Sequence, residues 1–478
     1  MSDKALINQL FQTIDDYTRN DQKKEGTPVV DFKTPDELQQ LMDFTVKDEG
    51  ISHIKFNDLM QQYLQYSVRT GNKQFMNQLY GGFNLPAFIG EVLTILANTS
   101  MYTYEVAPVA TMIEREMISL MNSYTGYSQG DGVFLTGGSN ANLVAMFSAR
   151  NRKIPASRFD GIDRNKHLTA FVSEHAHYSF ENAANMLGIG AHNVIKIPVD
   201  GHGHMIPDEL DRAINFSLQK GETPFFVGAT CATTVLGAFD PLDELAEICS
   251  KHDIWLHADG AFGGSLVLSP ETKHLFRGIE KTDSFGWNPH KLMNIPLVAS
   301  VLLVKQKGTL HFNLTDINTD YIFHNNNDVE DLGKKSIQCG RRVDAVKLWF
   351  AWKYYGKKGY AKRMENLLNM ARYAEEKVKD HSRLELLAPR QSLTVCFRYK
   401  PGYKTDLNDF NFRLREQLRK SGKSIVNVAW LDDTLTIRLI MANAETQKDD
   451  VDRFFENLLV CAGELENTLS RQIIAESV

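Results

Sequence analysis

Residues 254–264 read IWLHADGAFGG, and this stretch decides the fold. The apolar run Ile254-Trp255-Leu256 passes without a break into His257, Asp259 and a glycine-rich loop. That pattern describes a buried strand whose carboxyl end opens onto a ligand site, where open α/β sheets bind their ligands. A buried Asp259 needs a donor or a cation beside it. The plainer alternative is an aspartate that caps the segment after it. Working outward, similar runs recur as VFLT (133–136), LTAFVS (168–173), VIKIPV (194–199), PFFVGAT (224–230), SFGW (284–287) and ASVLLV (299–304). Amphipathic stretches lie between them, among them Asn140–Arg152, Pro207–Lys220 and Pro241–His252. Apolar strands alternating with helices predict a parallel sheet covered on both faces. Residues 1–66 are polar and helical in pattern, whereas from about Gly356 the chain reads as a long helix (Tyr360–Lys379), strands near Leu393–Arg398 and Thr434–Ile440, and a last helix. The expected organisation is an N-terminal helical segment (1–66), a large α/β domain (67–350) and a smaller α+β C-terminal domain (351–478).

Composition narrows the function. The 478 residues hold 53 Lys and Arg against 59 Asp and Glu, a net charge of -6. Neutralising phosphates needs a clustered cationic excess, so the acidic balance argues against a nucleic-acid binder. No apolar run reaches membrane length. The N-terminal residues MSDKALINQLFQTIDDYTRNDQKKEG lack the basic, apolar and small-residue regions of a secretory signal. Five scattered cysteines, with no CxxC pair, make a disulfide framework or a zinc site an unfavoured reading, and no metal is expected. A cytoplasmic protein is the expectation.

Four motifs carry chemistry. VFLTGGSNANLVA (133–145) is a strand, a turn and a helix. Gly137, Gly138, Ser139 and Asn140 lie where free N–H groups and the helix dipole favour a phosphate, although a Gly-Gly turn between strand and helix is also common. SFGWNPHKLMNIPLVAS (284–300) places Lys291 in apolar text. Desolvation there would lower its pKa and favour imine chemistry, with His290 beside it as a donor to phosphate; a solvated surface lysine is the bland alternative. VSEHAHYS (172–179) offers His175 and His177, which point to opposite sides if extended and have no third metal ligand nearby; one imidazole stacked on a planar ligand fits better. The fourth is Asp259 itself. His202 and His204 read as turn residues. Phosphate cradle, aromatic stacker, strand-end carboxylate and buried lysine are together what a pyridoxal phosphate site needs.

The chain resembles the group II pyridoxal-phosphate-dependent amino-acid decarboxylases, specifically the glutamate and cysteine-sulfinate decarboxylase branch. The resemblance runs from about Phe75 to the C-terminus. It rests on NQLYGG (77–82), ANTSMYTYEVAPV (97–109), GDGVF (130–134), SEHAHYS (173–179), TTVLGAFDPL (233–242), HADGAFGG (257–264), WNPHKL (287–292) and QCGRRVDAVKLW (338–349). It implies the type I aminotransferase-like fold, with a large mixed or parallel sheet, and a homodimer with shared active sites. Lys291 matches the lysine that carries the cofactor, Asp259 the partner of the pyridine nitrogen, and His177 the residue stacked on the ring. Gly138, Ser139 and Asn140 match the phosphate turn, with Asn288 and His290 contributing. Thr233 and Ala261 fall in the ring environment, and Gly340 matches a backbone donor from the second subunit. Arg438, in TIRLIMANAE, matches the arginine that holds a substrate carboxylate, a task its planar fork suits. Gln78, Tyr80 and Tyr102 line the region of the substrate's distal group by the same resemblance.

The sequence departs from the family in three places. The loop that usually carries a proton-donating Tyr aligns with Tyr321–Gly333, and no Tyr occurs between Tyr321 and Tyr354. His324 or a water assisted by His177 would have to act, or the reaction is that of a decarboxylation-dependent aldehyde synthase or another lyase. The usual Asp-Ala-Ala-Trp is Asp259-Gly260-Ala261-Phe262, and the usual Gly-Thr-Thr is Ala232-Thr233-Thr234. In NQLYGG, Tyr80 stands where the glutamate branch has Ser, which favours a short acidic substrate such as aspartate or cysteine sulfinate, with glutamate as a further possibility. The alternative is that Tyr80 packs at the dimer interface and selects nothing.

Overall fold

The computed structural model describes residues 3–22, 27–163, 165–314, 321–323 and 331–476. The chain divides into a larger unit, Asn84–Leu368 with Pro389–Thr394, and a smaller one, Met1–Phe83 with Asn369–Ala388 and Val395–Val478. Strands along the chain are β1 (Phe75–Met76), β2 (Asp131–Leu135), β3 (Leu168–Ser173), β4 (Val194–Ile197), β5 (Thr223–Thr230) and β6 (Trp255–Gly260). They continue as β7 (Ser284–Trp287), β8 (Ser300–Val304), β9 (Leu384–Leu386), β10 (Thr394–Tyr399), β11 (Ile425–Leu431) and β12 (Thr434–Ile440).

The larger unit is built on a seven-stranded sheet in the order β2-β8-β7-β6-β5-β3-β4. Strands β3 to β7 pair in parallel. β8 runs antiparallel to both β7 and β2, so the ASVLLV run does not extend the parallel set. The reason lies in its connection: a parallel return needs a crossover, usually helical. Residues 288–299 contain no helix, so the chain comes straight back. The strands are almost wholly buried. Helix Gly138–Lys153 lays Ala141, Ala145 and Ala149, one helical face at i, i+4, i+8, into this core beside Val144, Val172 and Phe226. Its last turn carries Arg150, Arg152 and Lys153, which suit the negative helix end, and Ile154-Pro155 stops it.

The smaller unit has a five-stranded sheet, β1-β11-β12-β10-β9, with helices Leu407–Lys420 and Lys448–Glu476. β11 and β12 form a hairpin in which Asn427 opposes Arg438. The expected helix Tyr360–Lys379 is the second part of Asp344–Asp380, which breaks at Gly356 (φ 66°), a left-handed position that glycine adopts without strain. Among the described residues no helix is long and apolar enough to cross a membrane, no His/Cys/Asp/Glu cluster is placed to hold a metal, and all five cysteines are free.

Candidate active site

The carboxyl ends of β2, β3, β6 and β7 bring the sequence motifs of the larger unit together. β6 ends at Asp259-Gly260, in register with Gly286-Trp287 of β7, so the turn Asn288-Pro289-His290-Lys291 leaves the sheet beside Asp259. Lys291 is half-buried, with its amine withdrawn from water; burial lowers its pKa and the Asp259 charge opposes that shift. His177 lies beyond the end of β3, half-buried, with its pKa lowered first by burial and further by Lys291, against the opposing pull of Asp259. These three groups therefore feel one another's charge. Asp259 Oδ1 accepts the N–H of Ala261 at 2.9 Å, and Oδ2 accepts Asn142 Nδ2 at 2.8 Å. Both readings of Asp259 hold: it caps the loop after it, and it is buried with a side-chain donor.

The anion cradle is built by the same strand ends. Helix Gly138–Lys153 starts after Gly137 with no side-chain cap, which leaves its first N–H groups to an outside acceptor. A Cβ on Gly138 would come within 2.8 Å of Asn288 Nδ2 and 3.2 Å of the Ala261 side chain, so this glycine joins the cradle to both the Lys291 turn and the Asp259 loop. Ser139 is exposed at the mouth, and one end of the Asn140 amide is buried without a partner. Asn288 Oδ1 is fixed by Ser300 Oγ at 2.6 Å. His290 is pinned at Nδ1, 2.7 Å from the Ala299 carbonyl, and burial pushes its pKa down to about 4. Its Nε2 is the remaining polar atom. An uncapped helix start, an unsatisfied buried amide and a position where a side chain would fill the cradle fit a phosphate group.

Other expected residues take distinct places. Thr233 is buried, and its Oγ1 accepts the Ala238 N–H at 3.1 Å, closing the turn that returns at Gly237. Tyr102 stacks on Phe323 at 5.0 Å and accepts the Gly333 N–H at its carbonyl. Gly340 is exposed. Gln78, Tyr80 and Arg438 belong to the smaller unit, where Tyr80 tilts against Phe75 at 6.0 Å and Arg438 is buried in β12 beside Cys396. His324 lies outside the described residues. Asp200 holds the N–H groups of His202 and His204 in a turn.

Sequence reasoning missed Asn142, Ser179 and His257. All are buried, and Asn142 contacts Asp259, Ser179 and His257 at 2.8, 2.9 and 3.0 Å. His257 carried a usable signal, since strand alternation places it on the same face as Asp259.

A desolvated lysine, a hydrogen-bonded strand-end carboxylate and an open anion cradle on this sheet define a pyridoxal phosphate enzyme of the type I aminotransferase-like fold. The model of the pyridoxal-dependent decarboxylase conserved domain matches residues 35–400, and the chain belongs to this family, with pyridoxal 5'-phosphate as cofactor and amino-acid decarboxylation as the reaction. It is 36% identical to cysteine sulfinic acid decarboxylase of Homo sapiens over 88% of each chain. It is 40% identical to the acidic amino acid decarboxylase GADL1 of Mus musculus, covering 78% of this chain and 68% of that protein. The crystal structure of mouse CSAD superposes with a TM-score of 0.92 at 34% identity, over 96% of this chain and 98% of the other. The expected branch and fold are thereby borne out.

Proposed function

We propose that the chain removes the α-carboxylate of a small acidic L-amino acid, aspartate or cysteine sulfinate ahead of glutamate, releasing CO2 and the amine. The observation that carries this reading is the Lys291–Asp259–His177 group with its adjoining cradle. Lys291, an amine with a lowered pKa, is a nucleophile for an aldehyde carbon. Asp259, held at both oxygens, would hold a proton on the pyridine nitrogen, and His177 would cover the ring. Gly138, Ser139, Asn140, Asn288 and His290 would hold the phosphate, with Thr233 and Ala261 alongside and Gly340 contributed by the other copy of a homodimer. When bound, the cofactor supplies an electron sink for the pair released by the departing carboxylate. By the family resemblance, Arg438 is the residue assigned to a substrate carboxylate, and Gln78, Tyr80 and Tyr102 are those assigned to the distal side chain. The proton for Cα comes from His324 or from a water held at His177. The chain works in the cytoplasm.

Relatives named for cysteine sulfinic acid and for acidic amino acids support the substrate class. The aldehyde-forming alternative is not favoured, since the relatives at 36% and 40% identity are named as decarboxylases. A product-resolved screen of aspartate, cysteine sulfinate, glutamate and aromatic amino acids tests the proposal. Amine and CO2 in equal amounts from a short acidic substrate are expected. Aldehyde and peroxide in excess over amine would overturn it.

A further inference from the structure

Behind Asp259 and His177 runs a line of buried polar groups with no task in the reading above: Trp255, Ser284, His257, Asn142 and Ser179. Its direction follows from its fixed ends. The Trp255 indole can only donate, and it donates to Ser284 Oγ at 2.9 Å. A carboxylate can only accept, so Asp259 Oδ2 takes the Asn142 NH2. The amide is thereby oriented: its second N–H goes to Ser179 Oγ at 2.9 Å, and its Oδ1 receives His257 Nε2–H at 3.0 Å. His257 is neutral, because burial pushes its pKa down to about 4. Its Nδ1 is therefore free to accept the Ser284 hydroxyl at 2.9 Å. Ser179 Oγ, having taken the Asn142 N–H, gives its own proton to His177 Nδ1 at 2.9 Å, and the Ser179 backbone N–H points at the same nitrogen at 3.2 Å. The one proton of the neutral His177 ring is left on Nε2.

We infer that Asn142 is a positioning residue that sets two properties of the site at once, the orientation of the Asp259 carboxylate and, through Ser179, the Nε2–H tautomer of His177. His177 then donates only from Nε2, and a proton on Nδ1 would break the bond from the Ser179 N–H and force the Ser179 hydroxyl to turn round. Asn142 sits in the helix whose start forms the anion cradle, so carboxylate, imidazole and cradle are registered by one element. This inference rests on the proposed roles of Lys291, Asp259 and His177.

The test uses the holoenzyme and follows the visible absorption band of the bound cofactor from pH 5.5 to 9.5, together with cofactor affinity and the pH profile of kcat. Asn142→Leu should weaken cofactor retention about tenfold and move the titration of the band by about half a pH unit or more. Ser179→Ala should move the kcat profile while leaving cofactor affinity within about threefold, and Ser179→Thr, which keeps the hydroxyl, should restore the profile. Asn151→Leu, in the same helix and equally buried, should lower the thermal midpoint and leave spectrum and profile alone. Wild-type spectra and profiles in both Asn142→Leu and Ser179→Ala would overturn the inference, and if Asn142→Leu does not fold, Ser179→Ala decides. Lys291→Ala separates the two layers. Retention of a lysine-bound cofactor band in that variant sinks the underlying roles, whereas its loss with a silent Asn142 and Ser179 sinks the positioning inference alone.

Discussion

Lys347, fully buried in the helix that begins at Asp344, has Glu91 Oε2 and Asp344 Oδ1 each 3.0 Å from its Nζ. Lys291, in the turn beyond β7, has its amine withdrawn from water in the same unit, yet no carboxylate among the described residues forms an ion pair with it. The fold thus treats one residue type in two ways. Around Lys347 charge is matched by charge, and Gly90, in helix Leu85–Ala97, lets that helix close on Asp344–Asp380 until a Cβ would stand 2.7 Å from Lys347 Cα. Around Lys291 no ion pair forms among the described residues, and burial is the largest influence on the amine and on the imidazoles of His257 and His290, with the Asp259 charge opposing it at Lys291 and His257. The difference teaches that the role proposed for Lys291 depends on leaving out an ion-pair partner, where Lys347 is given two.

The same substitution at both positions is the strongest way to break this comparison. Lys291→Met should cost at least roughly 10³-fold in kcat/KM while the thermal midpoint holds or rises, because an uncompensated amine leaves an apolar site. Lys347→Met leaves the buried Asp344 and the half-buried Glu91 without their buried cation, with the exposed Arg342 left beside them, and should destabilise by about 3 kcal/mol in urea unfolding, with kcat per folded molecule largely kept. A stable Lys347→Met protein would remove the distinction. Acid sensitivity sharpens it. His257 and His290, at about 4 when folded and near 6.5 when unfolded, leave the unfolded chain to take up protons first as pH falls through this window, so stability drops. Asp240, buried and pushed up to about 6, takes its proton first in the folded state and returns some stability between about pH 6 and 4. Two histidines against one aspartate leave a net loss on the order of 3 kcal/mol from pH 7 to 4 in urea titrations, and Asp240→Asn should steepen it. The smallest effect belongs to Arg342, exposed at the rim of the Lys347 cluster and paired with Glu91. Arg342→Ala should change stability by less than about 1 kcal/mol, with the difference shrinking in 0.5 M salt.

How far the sequence could be read follows the same divide. LTAFVS and SFGW coincide with β3 and β7 because continuous apolar runs ended by chemistry-bearing residues leave little choice of boundary. The direction of β8 was hidden, since hydrophobicity carries no sign for the way a strand runs. Asp259 and Lys291 were legible as polar residues set against apolar text. Asn142 was not, because it sits among the small residues of an ordinary helix and its partners are supplied by β6 and by the start of helix Ser179–Met186. Paired ions such as Lys347 with Glu91 are equally silent in sequence, being made only when distant segments meet.

The parallel pairing of Phe75-Met76 with Ile425-Val426 has a consequence for the order of assembly. Every strand of the seven-stranded sheet lies between residues 131 and 304 and can pair once that stretch has emerged from the ribosome. The first strand of the smaller sheet, made early, waits for a partner made late. At synthesis rates of about 5–20 residues per second the interval from residue 304 to 425 lasts roughly 6–24 s. A nascent chain halted there owns Lys291 and Asp259 on a complete sheet, while the strand that bears Tyr80's neighbour Phe75 is still an unpaired edge open to chaperones and to misassembly.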